Sequence, residues 1–460
     1  MTATGLGSSI GEVRQQGRRS AIGLLSRPAV FGSLVPLVTA LNALVGLVLP
    51  MLMAPSQFGE YALVVTLFQY GLIFDLGASQ LIDRWIPAHL GTNQPDAAER
   101  VGQRLLWLRL YIAATAYAVT ALVLVALAAR QELPFSLGTG LLSALAGILY
   151  MAALGPACLY RAHSARRNYA ISIAALSFGL VAARLGGMLA GGTLGCFAAL
   201  ALWYLVFAGV VHLRMPPRLA ERPSLAEAAS LAARGLPLFA TSFVWAFYVT
   251  ANRWFASRLI APGAFGQFAF GANIFALIVG TAAGFSAFYY PRITARLAGS
   301  APFALSRRLT ADCSKLVTGV TAVMVPGILL AGTLIGLVYP AYVHGVATAR
   351  ILLVAAPPVV LASWLMPISL SSGRRPWVDG IIVYPVATAL LGAATYGLFQ
   401  VLGVAGAAWA SSASGVPLIA MQLALLHHAG IFRSRHAAAL LAVTVAASGA
   451  LACLVWVVSS

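Results

Sequence analysis

The sequence has very little charge, and acidic residues are the scarcest part of it. Only 9% of its 460 residues are charged, 11 are Asp or Glu, and 60% are hydrophobic, with a mean hydropathy of +0.89. Soluble domains carry about 25% charged residues, so this composition excludes a soluble globular chain. The alternation typical of membrane β-strands, over roughly ten residues each, is also missing. The composition predicts an all-α membrane protein.

Motifs that carry chemistry are scarce as well. The four cysteines are isolated and no C-x-x-C spacing occurs, which argues against a disulfide or metal site. No G-x-x-x-x-G-K-[ST] motif is present, so we expect no ATP hydrolysis by this chain. The nearest approach to a catalytic carboxylate pair is Asp96 with Glu99, and Arg100 and Arg104 balance it. We therefore expect no enzyme activity, no metal and no cofactor.

Long apolar runs, in contrast, fill the chain. A helix needs roughly 20 apolar residues to cross a hydrocarbon core of about 30 Å. Thirteen runs meet this length and predict thirteen transmembrane helices, at 29–52, 60–83, 105–128, 136–160, 169–190, 193–213, 235–257, 265–290, 314–339, 348–371, 379–400, 403–426 and 437–458.

The net charge of +18 is distributed unevenly between the two sides of these runs. Of the 29 basic residues, 23 precede the first run or lie in loops after even-numbered runs, and three lie in the other loops. This positive-inside pattern predicts a cytoplasmic N-terminus, cytoplasmic even-numbered loops and an external C-terminus. The basic residues are then expected to meet anionic lipid headgroups, and no nucleic acid partner is expected.

Parts of the sequence occur twice. Residues 54–62 read A-P-S-Q-F-G-E-Y-A and residues 261–269 read A-P-G-A-F-G-Q-F-A, an offset of 207. S-A-R-R-N-Y at 164–169 and S-G-R-R-P-W at 372–377 are offset by 208, as are Leu194-Gly195 and Leu402-Gly403. The offset spans six predicted helices, and an even number preserves orientation. We expect two parallel copies of one bundle, related by an axis near the membrane normal.

The repeat predicts how the chain is divided. We expect a cytoplasmic segment at 1–28, an N-lobe of six helices at 29–213, a cytoplasmic linker at 214–233, a C-lobe of six helices at 234–427, and one extra helix within 428–460. Ser224 with Glu227 is a capping-box signal, which predicts a short amphipathic surface helix in the linker. In the first motif pair, we expect prolines to end helices and glycines to allow tight turns on the outer face.

These motifs also carry a resemblance to a known family. The motif at 54–62, followed by Asp75-Leu76-Gly77 and Arg84, resembles the opening of bacterial polysaccharide flippases of the Wzx type. In the second half, Gly235-Leu236-Pro237 and Asn252-Arg253 precede the second copy of the motif. Members of that family often have Asp-Arg where this chain has Asn252-Arg253, so a role needing a carboxylate there is weakened.

The resemblance covers nearly the whole chain and places it in the superfamily that includes the lipid II flippase MurJ and multidrug and toxin extruders. It implies a twelve-helix core of two six-helix lobes that work by alternating access. The implied substrate is an undecaprenyl-diphosphate-linked oligosaccharide, a polysaccharide or O-antigen repeat unit, moved across the bacterial inner membrane. A polysaccharide polymerase and glycosyltransferases would be its partners, along with membrane lipids.

Charged residues inside the apolar runs are the candidate site. Inserting one such residue at the centre of a membrane helix costs about 2.5 to 3.5 kcal/mol of free energy, so each is expected to have a structural or functional role. A flippase for a lipid diphosphate needs cations in its cavity, and guanidinium groups bind phosphate oxygens in pairs. We predict that Arg184, Arg253 and Arg109 contact the diphosphate. Asp75, the one acidic residue well inside a run, is a candidate for proton or sodium coupling.

Other interpretations remain open for the same residues. Arg109 and Asp75 lie at similar depth and could form a structural ion pair instead, while Arg253 could reach the outer headgroups beside Arg258. The two Arg-Arg doublets are interpreted first as signals that set the membrane orientation. A second interpretation is that they capture the diphosphate at the cytoplasmic face; they are Arg166, Arg167, Arg374 and Arg375.

Two alternative functions also remain at this point. One is a multidrug or organic-ion antiporter of the same superfamily, which would need carboxylates to attract cations. The other is a non-transporting membrane partner in polysaccharide assembly.

Overall fold

The computed structural model describes residues 41, 44–163, 165–214, 221–298, 301, 303–371 and 379–459. Over these residues all regular structure is helical, which confirms the all-α class. Thirteen α-helices follow one another: α1 (Pro55–Ile73), α2 (Ala78–Gly91), α3 (Pro95–Ala129), α4 (Leu137–Ala162), α5 (Arg166–Arg214), α6 (Leu225–Ser257), α7 (Pro262–Ala298), α8 (Ser306–Val338), α9 (Val346–Val354), α10 (Ala356–Ser371), α11 (Tyr384–Leu402), α12 (Val404–His428) and α13 (Ser434–Ser459). The described chain also contains two 3₁₀ turns and one π-helical turn. The 3₁₀ turns are Leu49–Leu52 and Pro340–Gly345, and the π-helical turn is Asp379–Val383.

The helices match the predicted membrane-crossing runs closely. Nine helical segments of the described chain are long and apolar enough to cross a membrane, and ten if the bent pair Pro340–Val354 and Ala356–Met366 counts as one span. Of the predicted run at 29–52, residues 29–40, 42 and 43 lie outside the described residues. Helix α5 contains two runs, and α6 is not among the nine. The protein is a polytopic membrane protein, as the composition predicted.

A sharp turn divides α5 into two arms. Its 49 residues would extend about 74 Å if straight, more than twice the hydrocarbon thickness. The chain turns at Gly191-Gly192, where Gly192 has φ 60° and ψ −146°. The arms then pack closely: a Cβ on Gly195 would lie 2.4 Å from the Gly187 carbonyl oxygen.

The same turn recurs between α11 and α12, and it corrects the register of the third sequence pair. Gly403 has φ 60° and ψ −138°, nearly the dihedral angles of Gly192. A Cβ on Gly406 would lie 2.0 Å from the Leu398 carbonyl oxygen, just as Gly195 packs on the preceding arm. The equivalent residues are therefore Gly192 with Gly403 and Gly195 with Gly406. Pairing Gly195 with Gly403 was wrong because it matched two glycines with different structural roles.

The first repeat motif begins helices rather than ending them. Pro55 and Pro262 are the first residues of α1 and α7, a position where the missing N–H of proline has no helical partner to lose. Their glycines do not make turns. A Cβ on Gly59 would lie 3.2 Å from the Gly266 nitrogen, and one on Gly266 would lie 1.7 Å from the Pro55 carbonyl oxygen. The two copies of the motif therefore pack against each other, and glycine lets their helix starts touch.

A break at Asp75–Gly77 separates α1 from α2 inside the second predicted run. Gly77 has φ 82°, a left-handed conformation that glycine adopts without strain. A Cβ on Gly77 would lie 2.2 Å from the carbonyl oxygen of Gly235 in α6. The break therefore also allows α6 to approach the backbone closely.

The capping box predicted in the linker is present. The Ser224 hydroxyl accepts from the Glu227 N–H (3.3 Å) and the Ser224 N–H donates to Glu227 Oε2 (2.9 Å). The hydrogen bonds that the Ser224 N–H and hydroxyl donate to the Glu227 carboxylate lower the pKa of that carboxyl below its ordinary value. However, the capped helix is not short: α6 runs without interruption from Leu225 to Ser257, because its apolar face continues through Pro237. The linker helix and the seventh predicted span are one element.

Candidate functional site

Helix α1 lies at the centre of the candidate site. It contacts α4 on one side and α6 and α7 on the other, so it joins the two predicted lobes. After Ser56 in its first turn, three more hydroxyl groups interrupt its apolar sequence, those of Tyr61, Thr66 and Tyr70. Each of the three makes a hydrogen bond to a side chain of another helix.

Arg184 reaches α1 from the first arm of α5. Its Nη2 donates to the Tyr61 hydroxyl, and its Cζ lies 5.8 Å from the centre of the Tyr61 ring. Its Nε is buried and has no hydrogen-bond partner within the described chain. None of the ion pairs in the described residues includes Arg184. Its positive charge is therefore held by a neutral partner.

Arg253 reaches the same helix from α6 and is only 2% exposed. Its Nη1 donates to the Thr66 hydroxyl (3.2 Å) and its Nη2 to the Ala272 carbonyl of α7 (3.4 Å). It too is absent from the ion pairs of the described residues. This burial disfavours the reading in which Arg253 extends to the headgroups beside the exposed Arg258.

Arg109 differs from the other two because a carboxylate matches its charge. Its Nη1 donates to Asp75 Oδ2 (3.0 Å) and to the Ser79 hydroxyl, and its Nη2 donates to the Met151 carbonyl (2.6 Å). Asp75 also accepts from the N–H groups of Gly77 and Ser79, at 3.0 Å each. These contacts favour the structural ion pair over a substrate role for Arg109. Ion coupling through Asp75 stays a prediction.

The four doublet arginines are only partly described. Arg166 and Arg167 begin α5, and the side chain of Arg167 is exposed. The structure does not describe the side chain of Arg166, and Arg374 and Arg375 lie outside the described residues. Capture of a diphosphate by these residues stays a prediction.

The polar contacts between α1 and α6 were missed by the sequence analysis. The Tyr70 and Thr250 hydroxyls lie 2.7 Å apart, and Trp254 Nε1 donates to the Tyr70 hydroxyl (3.0 Å). Single tyrosines and threonines in apolar helices carry no distinctive spacing. The repeat gave a signal only for the contact of α1 with α5, because Tyr61 stands where the second copy has Phe268.

Asn252, where the family often has aspartate, packs into the C-terminal half. Its Nδ2 donates to the Ser411 hydroxyl (3.4 Å), while its Oδ1 is buried without a partner in the described chain. One turn earlier, the Tyr248 and Ser414 hydroxyls lie 3.1 Å apart. Because asparagine is neutral, it leaves the charge of the adjacent Arg253 uncompensated.

The site therefore offers two guanidinium groups beside one helix. Tyr61 and Thr66, their partners on α1, are separated by five residues, or about 7.5 Å along the axis. Two cations without carboxylate partners in the described chain, set in apolar surroundings, attract an anion. In the described residues, no three His, Cys, Asp or Glu side chains converge as they would around a metal ion.

Comparison with known proteins shows the fold. Neither a scan of protein-family models nor a search of curated proteins finds a match. Among solved structures, a MATE transporter of Vibrio cholerae, VcmN, matches with a TM-score of 0.57 and 13% identity over 90% of this chain and 98% of its own. The lipid II flippase MurJ, in an inward closed conformation, matches with a TM-score of 0.56 and 12% identity over 91% of both chains.

A third structure, an inward-facing multidrug resistance MATE family transporter of the MOP superfamily, matches with a TM-score of 0.55 and 13% identity. It covers 93% of this chain and 99% of its own. At such identities the likeness establishes the fold alone. The protein has the fold shared by MATE transporters and MurJ, and the structural resemblance predicted from the sequence is confirmed.

Proposed function

From this fold and the two unneutralised arginines, we propose that the protein is a flippase. It moves an undecaprenyl-diphosphate-linked oligosaccharide across the bacterial inner membrane by alternating access between two six-helix lobes. The observation that carries the proposal is the state of Arg184 and Arg253. Both lie within apolar helices and are held by neutral groups, without a carboxylate among the described residues.

The charge of the site selects the class of substrate. A buried cation without a counter-ion costs several kcal/mol, and a bound anion would offset that cost. A lipid diphosphate suits cationic groups of this kind because a guanidinium binds phosphate oxygens with charge-assisted hydrogen bonds. The lipid and sugar parts of the substrate would be accommodated in the membrane and in the cavity between the lobes.

A second candidate is an organic-ion antiporter, favoured by the likeness to the two MATE transporters. Attraction of a cationic drug requires carboxylates at the site. Of the carboxylates along α1 and the break after it, Glu60 accepts from the Ser136 N–H (3.3 Å) and Asp75 is paired with Arg109 (3.0 Å). The positive charge of the two arginines therefore favours an anionic substrate over a cationic one. A non-transporting partner in polysaccharide assembly is a third candidate, and a flipping assay separates it from both transporters.

The test is reconstitution into liposomes with a fluorescent undecaprenyl-diphosphate oligosaccharide. The assay measures how much of the label becomes inaccessible to an external quencher over time. The unchanged chain should move the lipid, while Arg184→Ala and Arg253→Ala should reduce the rate by about a hundredfold or more, because each substitution removes a charge-assisted contact. Failure of the unchanged chain to move the lipid, or full activity of both variants, would overturn the proposal.

Arg258→Ala is the matched control. Arg258 immediately follows α6, five residues after Arg253, and its side chain is exposed. It should keep the rate of the unchanged chain. Uptake of an organic cation driven by a proton or sodium gradient, with no movement of the lipid, would support the antiporter instead.

A further inference from the structure

The two copies of the first motif differ at a position that contacts the site. Tyr61 occupies the place that Phe268 occupies in the second copy, and both are buried, at 3% and 0% exposure. Burial of a ring explains an aromatic residue in either copy. It does not explain the hydroxyl of Tyr61, which accepts a hydrogen bond from Arg184.

The ring of Tyr61 is fixed from several directions. It stacks on Phe197 of the second arm of α5, with ring centres 6.0 Å apart, and lies 5.9 Å from the ring of Phe58. Phe58 in turn meets the edges of Phe270 and Tyr342 from the second half of the chain. The Tyr61 hydroxyl is therefore presented to Arg184 from a packed aromatic cluster, and little rotamer freedom is left to it.

Tyr61 also differs from the carboxylate that holds Arg109. A carboxylate partner cancels the charge of an arginine, as Asp75 does at 3.0 Å. A phenol accepts a hydrogen bond and presents the negative face of its ring, yet it leaves the guanidinium with its full charge. The arginine is thereby oriented and still able to bind an anion.

We propose that Tyr61 is a positioning residue that holds the Arg184 guanidinium, at full charge, in the orientation that binds a substrate phosphate. This inference rests on the proposed function and adds a determinant of its anion affinity. Besides the N–H directed at Tyr61 and the contact with the Cys196 thiol, the guanidinium has further Nη N–H groups that can donate to phosphate oxygens. An arginine ordered before binding loses less side-chain entropy when the anion arrives.

The decisive variant is Tyr61→Phe, which keeps the ring and removes the hydroxyl. Binding of undecaprenyl diphosphate to the purified chain in nanodiscs is measured, together with the thermal midpoint. The dissociation constant should rise about three- to tenfold, the effect of losing one hydrogen bond that orders the cation. In the flipping assay KM should rise by a similar factor while kcat changes less. Tyr61→Leu, which also removes the ring, should weaken binding further.

Tyr342→Phe is the matched control. It removes the hydroxyl of another buried tyrosine in the same aromatic cluster, and that hydroxyl donates to the Met53 carbonyl (3.1 Å) and to no arginine. It should leave the dissociation constant within about twofold of the unchanged chain, whatever its effect on thermal stability. Equal weakening by Tyr61→Phe and Tyr342→Phe would mean a general packing effect and would overturn the positioning role.

A further variant separates this inference from the proposed function. If Arg184→Ala binds the lipid diphosphate as well as the unchanged chain does, the cationic site of the proposed function is wrong. If Arg184→Ala loses binding while Tyr61→Phe binds normally or more tightly, the positioning role alone is wrong. In support of the role, adding Tyr61→Phe to Arg184→Ala should cause no further loss, because the tyrosine acts through the arginine.

Discussion

At the scale of single residues, three arginines with similar sequence surroundings have different partners. Arg109 is neutralised by Asp75, whereas Arg184 and Arg253 donate to hydroxyl and carbonyl oxygens. A buried ion pair whose charges cancel holds helices in place and attracts further ions less than an unpaired cation does. The other two arginines keep their charge, so they are the residues through which the site can recognise an anion.

The ion pair leads to a prediction about stability. Asp75→Asn would leave Arg109 buried without a counter-charge and should destabilise the protein by about 3 to 5 kcal/mol. The measurement is the thermal midpoint in detergent. Asp83→Asn is the control, since Asp83 pairs with Arg161 at 2.7 Å where both side chains are about 40% exposed, and it should cost at most about 1 kcal/mol. Equal loss in both variants would contradict the structural role of the buried pair.

A second residue-scale prediction concerns arginine geometry. Arg253→Lys keeps a positive charge but has no second donor in the plane of a guanidinium. It should restore only part of the flipping rate lost in Arg253→Ala, because the ammonium cannot contact Thr66, the Ala272 carbonyl and a phosphate together. The rates of the three chains, measured at equal protein content in the liposomes, test this. Full activity of the lysine variant would show that charge alone is sufficient.

At the scale of helices, glycine determines how closely the two copies of the repeat pack. Gly59 of α1 and Gly266 of α7 face each other at the helix starts, and no side chain separates the backbones. The hairpin turns at Gly192 and Gly403 instead use glycine for its backbone conformation. Glycines in the same repeat thus serve two different physical purposes.

The helix crossing can be tested with alanine. Gly266→Ala would bring a Cβ to within 1.7 Å of the Pro55 carbonyl oxygen, so α1 and α7 would have to move apart. We expect a loss of about 1 to 3 kcal/mol in stability, typical of overpacking. Gly263→Ala is the matched control in the same helical turn, because nothing lies within 4 Å of the added Cβ. A thermal midpoint for Gly266→Ala equal to that of Gly263→Ala would contradict this packing.

At the scale of the whole molecule, the two halves meet along α1. The start of α1 packs against the start of α7, and the Thr66 and Tyr70 hydroxyls bond to α6. The break that follows α1 packs against Gly235. Movement of one half against the other would therefore change the surroundings of Arg253, which contacts α1 and α7 at once. The bounds of the two lobes, at 29–213 and 234–427, stay a prediction.

The membrane orientation can be tested by labelling. In a chain carrying Cys453→Ser, because Cys453 is exposed, single cysteines are introduced as Arg130→Cys and Arg167→Cys. The positive-inside distribution predicts that an impermeant maleimide applied to intact cells labels position 130 and not position 167. Labelling of position 167 and not of position 130 would show the opposite membrane orientation. Labelling of both positions only after the membrane is permeabilised would also contradict the predicted orientation.

The sequence by itself determined the all-α membrane class and most of the helical spans, because these follow from local composition and periodicity. Apolar runs of about 20 residues must be helical in lipid, where backbone groups find no water. It also predicted which charged residues required an explanation, since a charge in an apolar run is visible without a structure.

Tertiary structure decided which of those charges are cancelled. Asp75 meets Arg109 although 34 residues separate them, and Tyr61 meets Arg184 across 123 residues. It likewise decided that the glycines of the first motif lie in a helix crossing and that the linker helix continues without a break to Ser257. These outcomes depend on which helix faces project toward each other, and residue spacing along one chain does not encode that.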